Sequence, residues 1–418
     1  MTSSPAPSQS IAVIGAGIVG VSTALWLRRA GHSVTLIDRQ PPGEGTSHGN
    51  AGILAACAMV PVTTPGLLRK TPAMLANPDS PLFLRWSYLP RLMPWLLRYL
   101  SHATLSETQR ICEGISGVVC DSVDQHQALV RGTGLEHWVV ESPYSFAYAT
   151  KTEFDAEALV WAERAKYGFN PDQLDGAAAQ AFEPNLSDTI GYVARLPRHG
   201  YIPDPGGYVK ALAALAEAQG VRLRTASVQD FTLKDGRITQ LETDAGPIPC
   251  DQAVLTTGVW SKPLMAKLGL KIPLESERGY HIVFENATGG PSHPMMIAQG
   301  KFVATPMAQG LRCAGLLEFG GLDPGPSQAP LALLRRQVKA AFPNLKYTGE
   351  VEWMGHRPAP SDSLPVIGEI RQTGIVAAFG HHHIGLTAGP KTGRLVADLI
   401  SGRRPNIDMS CYLPQRFA

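Results

Sequence analysis

Short hydrophobic runs and one helical pattern define the start of the chain. Residues 11–14 and 33–37 are rich in Ile, Val and Leu, which is typical of strands buried on both faces of a sheet. Between them, apolar residues recur at helical spacing over residues 18–30, and Gly31 ends the pattern. This order predicts a strand, a helix and a second strand, which together form a βαβ unit of a parallel sheet.

The same patterns predict elements along the rest of the chain. Helices are expected over residues 82–100 in pieces, 105–132, 154–167, 208–219, 329–342 and 385–399. Strands are expected over residues 145–148, 221–223, 250–257, 274–284, 301–317 and 374–379, with a β-hairpin over 226–241. Because residues 274–284 and 301–317 alternate between apolar and polar positions, we expect an antiparallel sheet in a second lobe.

Composition restricts the class of protein. The chain has 418 residues, of which 44% are hydrophobic, and a net charge of +2 without any block of Lys or Arg, so no nucleic-acid partner is expected. Its six cysteines are dispersed and form no C-x-x-C pair, which indicates a reducing compartment and argues against a zinc or iron–sulfur site. Residues 1–10 are polar and lack the apolar stretch of a secretory signal, so we expect a cytoplasmic location.

Residues 82–100 are strongly apolar and aromatic. They also contain Arg85, Arg91 and Arg98, and each central Arg costs roughly 2.5–3.5 kcal/mol in a membrane-spanning helix, so a span is not expected. Two alternatives remain. The stretch forms helices packed inside a lobe, or it forms a patch of Trp, Leu and Arg that contacts the inner face of the cell membrane peripherally.

The glycine-rich turn after the first strand carries the first chemical signal. Gly15, Gly17 and Gly20 form G-x-G-x-x-G, whose glycines permit a tight turn, a close approach of the backbone to a pyrophosphate, and close helix–strand packing. The helix N-terminus adds unpaired N–H groups and a partial positive charge for the phosphates. Asp38, at the end of the second strand, is placed to bind a ribose hydroxyl. These features predict a dinucleotide-binding fold.

Two later segments favour a flavin over a nicotinamide. Residues 45–52 form a loop of small residues that leaves room for a large flat ring. Residues 380–387 join a buried strand to a helix, and the N-terminus of that helix can stabilise negative charge at the N1 and O2 atoms of a reduced flavin.

With these segments together, the chain resembles the D-amino acid oxidase/dehydrogenase superfamily, and within it the bacterial D-amino acid dehydrogenase branch. The resemblance covers nearly the whole chain, and its motifs occur in the expected order at residues 15–20, 46–52, 257–261, 278–280, 355–368, 380–387 and 416–417. It implies an α/β fold with a Rossmann-like FAD-binding domain of the glutathione-reductase type. That domain is expected over residues 1–55, 205–275 and 352–418. An inserted α+β substrate domain built on an antiparallel sheet is expected over residues 56–204 and 276–351.

The resemblance also implies which residues bind the cofactor. They are Gly15, Ala16, Gly17, Ile18, Val19, Gly20, Asp38, Arg39, Thr46, Ser47, Asn50, Ala51, Gly52, Ile53, Val228, Thr257, Gly258, Trp260, Gly355, Gly385, Leu386 and Thr387. Val228 is expected to meet the adenine through its backbone. In dimethylglycine and sarcosine dehydrogenases, a histidine linked covalently to FAD occupies the position of Asn50, so FAD is expected to be non-covalent here.

Arg357 is the expected anchor of the substrate, because its planar guanidinium matches an α-carboxylate with two hydrogen bonds. The alternative role for Arg357 is a surface salt bridge. Tyr280 is expected to add a hydrogen bond to the same carboxylate, with a half-buried structural tyrosine as the alternative. His382 is a further substrate-binding candidate. No metal site is expected at the histidine run 381–383, since adjacent side chains point apart.

The implied reaction is oxidation of a D-amino acid by hydride transfer from Cα to flavin N5, which gives an imino acid and then a 2-oxo acid with ammonia. Secondary amines of the D-proline or hydroxyproline type are included among the expected substrates. Electrons are expected to pass to a quinone or a protein carrier. Two alternatives remain open: a glycine- or sarcosine-type amine oxidase that uses oxygen, and a flavin subunit of a larger dehydrogenase complex without turnover of its own.

Overall fold

The computed structural model describes residues 8–67 and 80–418. Residues 1–7, which belong to the polar N-terminal stretch, lie outside the described residues. A six-stranded sheet contains both strands of the predicted βαβ unit. Its strands lie in the order Val366–Glu369, Ile375–Phe379, Gln252–Leu255, Ser10–Ile14, Ser33–Asp38 and Arg222–Thr225. All neighbours run parallel except the first two. Because parallel strands bring their carboxyl ends to one edge, the loops that follow Ile14, Asp38, Leu255 and Phe379 meet there.

Alternate residues of the first strand enter two different cores. Ile11 and Val13 pack among helices on one face of the sheet, and Ala12 and Ile14 pack against a small antiparallel sheet on the other. Burial on both faces accounts for the continuous apolar run in the sequence. The helices of the first face include Ile18–Arg29, Pro205–Ala218 and Gly385–Ile400. The elements of the second face are the strands Val228–Lys234, Arg237–Thr243 and Ile248–Pro249 and the helix Ser261–Lys267.

Two glycines let helix Gly385–Ile400 lie close against helix Ile18–Arg29. A Cβ atom at Gly393 would lie 2.7 Å from the backbone carbon of Ser22, and one at Gly389 would lie 2.8 Å from a side-chain carbon of Ile18. Because these contacts advance along both helices together, the helices run in the same direction. Their N-termini therefore lie side by side at the carboxyl edge of the parallel sheet.

A ten-stranded sheet, called the large sheet below, forms the second lobe. Eight strands follow one path, in the order Gly349–Pro360, Leu274–Glu285, Gly310–Phe319, Phe302–Met307, Met295–Ile297, Val140–Tyr148, Tyr192–Tyr201 and Ile53–Leu54. Two short strands, Leu82–Leu84 and Asp172–Asp175, pair beside this path. Helix Gln328–Ala341 packs on one face. The expected sheet was antiparallel, but the pairs that join Met295–Ile297 to Val140–Tyr148 and Gly310–Phe319 to Leu82–Leu84 are parallel. Long connections separate the two strands of each pair along the chain, so these strands can pair in either the parallel or the antiparallel direction.

Three predicted helices differ from the observed elements. The segment 105–132 forms two helices, Leu105–Val119 and Ser122–Val130, and the segment 154–167 lies in the pair Lys151–Asp155 and Ala158–Lys166. The segment 82–100 begins as strand Leu82–Leu84 and continues as helix Leu89–Ser101. A further short helix is Gly176–Phe182.

The expected domain boundaries cut across these elements. The boundary at residue 352 falls inside strand Gly349–Pro360 of the large sheet. Ile111 and Leu129, from the segment expected in the substrate domain, pack in the helix-covered core of the parallel sheet. Contacts between segments distant in sequence, rather than position along the chain, decide which core each helix enters.

Helix Leu89–Ser101 rests on the large sheet through one face. Leu92, Trp95 and Tyr99 are buried, and the indole N–H of Trp95 donates to the carbonyl oxygen of Ala359 at 3.0 Å. The opposite face stays exposed, including Leu97 at 61%. Among the helices of residues 8–67 and 80–418, none combines the length and apolar character that crossing a bilayer requires.

Candidate active site

Two connected cavities lie at the carboxyl edge of the parallel sheet. The outer cavity, about 340 Å³, is bounded by the turn at Gly15, by Asp38 and by Val228. The inner cavity, about 470 Å³, lies between this edge and the large sheet, and Arg357 and Thr387 line it. The cavities form one elongated groove because both are lined by Gly17, Thr46, Thr256 and Gly258.

The glycine turn is shaped by close backbone contacts. Gly15 has a φ of +107°, and a Cβ atom there would lie 2.8 Å from the hydroxyl of Thr256. A Cβ atom at Gly20 would collide with the carbonyl oxygen of Gly15. Gly20 therefore serves the helix–strand contact, as the motif predicts. Thr256, which sequence reasoning missed, donates to the carbonyl oxygens of Ile14 at 2.7 Å and Gly15 at 3.0 Å and so holds the turn.

Asp38 ties the second strand to the glycine turn. Its Oδ2 accepts a hydrogen bond from the N–H of Ala16 at 2.7 Å, and its Oδ1 accepts one from Gln40 at 3.0 Å. A carboxylate oxygen accepts more than one hydrogen bond, so capacity remains for a ribose hydroxyl. Nearby, the Arg39 guanidinium lies 4.6 Å from the ring centroid of Trp260. The predicted residues that line the outer cavity are Gly15, Ala16, Gly17, Asp38, Arg39, Thr46, Val228, Thr257, Gly258 and Trp260.

The loop after the second strand forms one wall of the inner cavity. Ser47 Oγ accepts a hydrogen bond from the N–H of Ile18 at 3.0 Å, and Thr46 donates to the carbonyl oxygen of His356 at 2.9 Å. Asn50 Oδ1 accepts from the N–H of Gly52 at 2.9 Å, and Gly52 has a φ of +80°, so these two residues bend the loop. The predicted residues that line the inner cavity are Gly17, Ile18, Val19, Thr46, Ser47, Asn50, Ala51, Ile53, Gly258, Gly355, Gly385, Leu386 and Thr387.

Arg312 anchors the same loop and was missed by sequence reasoning. Its Nη1 donates to the carbonyl oxygens of Asn50 at 2.6 Å and His48 at 3.1 Å. The residue is 3% exposed, and burial lowers its pKa to about 10, with Asp204 acting in the opposite direction. The available sequence signal was a charged residue among the apolar residues 311–317, where only a partner inside the protein makes burial tolerable.

Arg357 faces the inner cavity from the large sheet. Its Nη1 donates to Glu277 Oε1 at 2.7 Å, across the pair of strands in which these residues are directly opposite. The guanidinium lies over Gly279, where a Cβ atom would be 2.6 Å from Cζ. The side chain is 20% exposed, so the salt bridge lies in the cavity wall and not on the outer surface.

Glu277 joins Arg357 to His382. His382 Nε2 lies 2.5 Å from Glu277 Oε2, and its backbone N–H donates to the carbonyl oxygen of Pro358 at 3.0 Å. Burial by itself raises the pKa of Glu277, but the contact with His382 and the positive charge of Arg357 outweigh it and hold that pKa below its ordinary value. Sequence reasoning named Arg357 and His382 but not Glu277, which stands among other polar residues of its strand and so carried no distinct signal.

Tyr280 has a different role from the expected one. Side chains alternate along strand Leu274–Glu285, so Tyr280 points to the face opposite that of Glu277 and Arg357. Its buried hydroxyl donates to Glu318 Oε2 at 2.6 Å and accepts from the N–H of Ser327 at 3.0 Å. This geometry corrects the expectation that the Tyr280 hydroxyl binds the substrate carboxylate, because the tyrosine belongs to a buried polar network on the other side of the sheet.

The groove fits FAD, a dinucleotide with a flat three-ring system. The glycine turn and the N-terminus of helix Ile18–Arg29 supply backbone N–H groups and positive potential for a pyrophosphate. The first residues of helix Gly385–Ile400 line the inner cavity, where the helix dipole favours the negative charge of a reduced flavin.

Comparison with known proteins identifies the family of the chain. Residues 10–399 match the family described as DAO, FAD dependent oxidoreductase. A D-amino-acid oxidase from Bradyrhizobium diazoefficiens is 37% identical over 415 residues, which cover 97% of this chain and 98% of that protein. A D-amino acid dehydrogenase from Paramagnetospirillum magneticum is 30% identical over 418 residues, which cover 97% and 98% of the two chains.

Solved structures share the fold. L-proline dehydrogenase from P. horikoshii superposes with a TM-score of 0.77 at 21% identity and covers 99% of this chain and 98% of its own. Glycine oxidase from Geobacillus kaustophilus superposes with a TM-score of 0.74 at 21% identity and covers 98% and 99%. The predicted α/β FAD-dependent fold is confirmed. Since the family match and the relatives both span nearly the whole chain, the protein belongs to the FAD-dependent oxidoreductase family.

Proposed function

We propose that this protein oxidises D-amino acids with FAD as its cofactor. The observation that carries the proposal is Arg357, a guanidinium held in the wall of the inner cavity by Glu277. A cation at this position suits a substrate with a free carboxylate. The names of the relatives, a D-amino-acid oxidase and D-amino acid dehydrogenases, supply the stereochemistry.

Arg357 is expected to bind and orient the substrate. Glu277 occupies Nη1, and the other guanidinium nitrogens carry no hydrogen bond to the described residues, so they are available to a carboxylate. Fixing the carboxylate restricts the direction of the Cα–H bond, which is a positioning contribution to the rate. FAD, when bound, supplies the acceptor for the Cα hydride. The imino acid product then hydrolyses to a 2-oxo acid and ammonia, whereas D-proline or a hydroxyproline gives a cyclic imine.

The residues that line the groove are proposed to hold the cofactor. The outer cavity takes the adenosine and pyrophosphate, and the inner cavity takes the flat ring and the substrate. The proposal includes non-covalent attachment, because Asn50 has no nucleophilic ring nitrogen and its side chain accepts from Gly52. Heat denaturation is expected to release all of the flavin. Yellow colour that sediments with the denatured protein would contradict non-covalent binding.

Anaerobic mixing tests the substrate class. Purified holoenzyme is mixed with D- and L-amino acids, D- and L-proline, glycine and sarcosine while the visible flavin band is recorded. We expect bleaching by D-amino acids or D-prolines and not by their L-enantiomers. The Arg357→Ala variant is expected to keep its flavin and lose saturable bleaching. Bleaching by L-enantiomers alone, or full activity of Arg357→Ala, overturns the proposal, and a protein that no amino acid bleaches is better explained as a flavin subunit of a complex.

The proposed electron acceptor is a quinone or a protein carrier. The second candidate is molecular oxygen, favoured because the relative at 37% identity is named an oxidase. Steady-state assays distinguish the two acceptors, with a quinone analogue in one cuvette and air alone in the other. Hydrogen peroxide formed in air at the full rate of turnover identifies the oxidase.

We also propose that the protein is cytoplasmic and contacts the inner face of the membrane through helix Leu89–Ser101. Arg91 and Arg98 lie on its exposed face together with Leu97. A face that combines basic and large apolar side chains suits an anionic lipid surface. Co-sedimentation with vesicles of anionic and of neutral lipid tests this contact.

A further inference from the structure

The loop before helix Gly385–Ile400 carries three consecutive histidines in three different settings. His381 is buried, and its Nε2 lies 2.9 Å from the hydroxyl of Thr392. His382 is buried and contacts Glu277. His383 is exposed and lines the inner cavity. Desolvation by the surrounding protein lowers the pKa of His383 to about 3, which favours a neutral ring at pH 7.

The side chains form a continuous chain of contacts that begins at the cavity. His383 Nδ1 lies 3.2 Å from His382 Nδ1, His382 Nε2 lies 2.5 Å from Glu277 Oε2, and Glu277 Oε1 lies 2.7 Å from Arg357 Nη1. The charged and titratable groups that act on His383 are His382 in its own loop, Glu277 in strand Leu274–Glu285 and Arg357 in strand Gly349–Pro360. This series of contacts therefore begins and ends at side chains that line the inner cavity, where Arg357 is proposed to hold the substrate.

A neutral His382 fixes which nitrogens of the two rings carry protons. Glu277 is ionised, so His382 Nε2–H donates to it, and Nδ1 of a neutral His382 is then an acceptor. The hydrogen bond between the two rings is then donated by His383 Nδ1–H and accepted by His382 Nδ1. His383 Nε2 is left as an acceptor, and it has no hydrogen-bond partner among the described residues.

Resting on the proposed function, we propose that His383 accepts a proton from the substrate ammonium group and passes charge to His382. The N–H bond of the ammonium breaks and an N–H bond forms at His383 Nε2. The Nδ1–H bond of His383 then breaks, and an N–H bond forms at His382 Nδ1. No electrons are gained or lost, and the amine becomes neutral, with a lone pair that supports loss of the Cα hydride.

The local charges favour this destination for the proton. Before transfer, the cluster holds the cation of Arg357 and the anion of Glu277, and the substrate is a zwitterion. After transfer, the His382 cation lies against Glu277, while the substrate carboxylate lies against Arg357. Each positive charge then has a negative partner, which is the arrangement that a buried site requires. His383 has no carboxylate beside it and serves as the entry point.

The first experiment is the pH profile of anaerobic flavin reduction by D-alanine. For His383→Gln, we expect a limiting rate at high pH similar to that of the parent protein. Below the pKa of the free ammonium group, the rate of the variant should fall about tenfold per pH unit, because only the neutral fraction of substrate reacts. The matched control is His137→Gln, which replaces an exposed histidine far from His383 in the sequence and should reproduce the parent profile. Superimposable profiles for His383→Gln and the parent overturn the relay.

A second substrate makes the test independent of folding defects. Fluorine lowers the pKa of the amine in 3-fluoro-D-alanine, so more of this substrate is neutral at pH 7. The ratio of parent to His383→Gln rates should therefore be smaller for 3-fluoro-D-alanine than for D-alanine. An equal ratio for both substrates indicates a structural defect and overturns the relay.

A binding measurement gives a readout that does not depend on turnover. 2-Aminoisobutyrate has a carboxylate and an amine but no Cα hydrogen, and isobutyrate lacks the amine. In holoenzyme with ¹⁵N-labelled histidine at pH 8, 2-aminoisobutyrate should convert one histidine ring to the imidazolium form, and isobutyrate should not. If 2-aminoisobutyrate perturbs the flavin spectrum without protonating any histidine, the relay is wrong and the proposed function stands. If neither compound perturbs the flavin and D-alanine does not bleach it, the proposed function itself fails.

Discussion

The guanidinium of Arg357 lies directly over Gly279, so that a Cβ atom at Gly279 would come within 2.6 Å of Cζ and 2.7 Å of Nη2. Gly279 is two residues beyond Glu277 on the same strand, so both face Arg357 from one side of the large sheet. Glu277 holds the guanidinium by charge, and Gly279 provides the space in which it lies. The proposed carboxylate site is thus made by two neighbouring strands.

Replacing Gly279 with Ala is expected to displace the Arg357 guanidinium. Loss of well-placed hydrogen bonds to a charged group costs about 1.5–3 kcal/mol, which corresponds to an increase in KM of about 10- to 150-fold. Steady-state kinetics with a D-amino acid measure this change, and the flavin content of the variant should equal that of the parent. Gly325→Ala is the matched control, because a Cβ atom there meets nothing within 4 Å. An unchanged KM in Gly279→Ala would show that Arg357 does not bind the substrate.

Replacing Arg312 with Met is expected to weaken FAD binding. The substitution leaves the buried carbonyl oxygens of His48 and Asn50 without their donor, at a cost of about 1–3 kcal/mol. The Kd of FAD, measured by reconstitution of apoprotein, should rise about 5- to 150-fold while the far-UV circular dichroism spectrum is retained. Arg335→Met removes an arginine from a partly exposed ion pair and should leave the Kd unchanged. Equal affinity in both variants would contradict the role given to Arg312.

The free energy of unfolding is expected to decrease as pH falls from 7 towards 4. Burial lowers the pKa of His126 and His199 to about 4, and of His281 to about 3, from an ordinary value of 6.5. Between these values the unfolded chain binds more protons than the folded chain, so acid favours unfolding. The pKa of Glu277 is also lowered, so protonation of its carboxylate reduces the free energy of unfolding further at still lower pH.

Chemical denaturation of the holoenzyme at several pH values measures this dependence. In His126→Gln the protein is expected to be less stable at pH 7, because the ring contacts the hydroxyl of Tyr208 and the carbonyl oxygen of Leu386. The slope of stability against pH between 6.5 and 4 should nevertheless be shallower, since one titrating group is gone. A slope as steep as that of the parent would show that His126 does not titrate in this range.

Helix Leu89–Ser101 is expected to bind anionic vesicles at low salt. Trp86 is 65% exposed and Leu97 is 61% exposed, and the exposed side chains of Arg91 and Arg98 add positive charge. Each basic residue near an anionic surface contributes about 1 kcal/mol, so the Arg91→Glu, Arg98→Glu double variant should lose most of the bound fraction. Co-sedimentation with vesicles of anionic and of neutral lipid measures binding. Absence of the parent protein from the anionic pellet would leave the helix with a packing role only.

Local sequence was sufficient to predict the glycine turn at one end of the groove. The spacing of Gly15, Gly17 and Gly20 and the acid at Asp38 are consecutive features of one βαβ unit, although Thr256, from a distant segment, also packs against the turn. A Cβ atom at Gly20 meets the carbonyl oxygen of Gly15 in the same turn. Since this contact lies within one short segment, the residue types alone predict it.

The direction of side chains in the large sheet depended on pairing between distant strands. Tyr280 and Glu277 lie on one strand, and periodicity alone cannot tell which of its faces meets Arg357. The observed register places Glu277 opposite Arg357 and sends Tyr280 to the buried network of Glu318. A shift of one residue would exchange the two faces, and the pairing that prevents it joins strands far apart in the chain.

The sequence by itself therefore determined the βαβ start, the cofactor class and Arg357 as the candidate anchor, because short motifs and the order of motifs carry that information. Only the tertiary structure showed that Arg312 holds the loop of residues 45–52 and that Glu277 joins Arg357 to His382. These side chains come from segments separated by many tens of residues. Their contacts depend on the pairing of distant strands and on the packing of loops against them, and local sequence patterns specify neither.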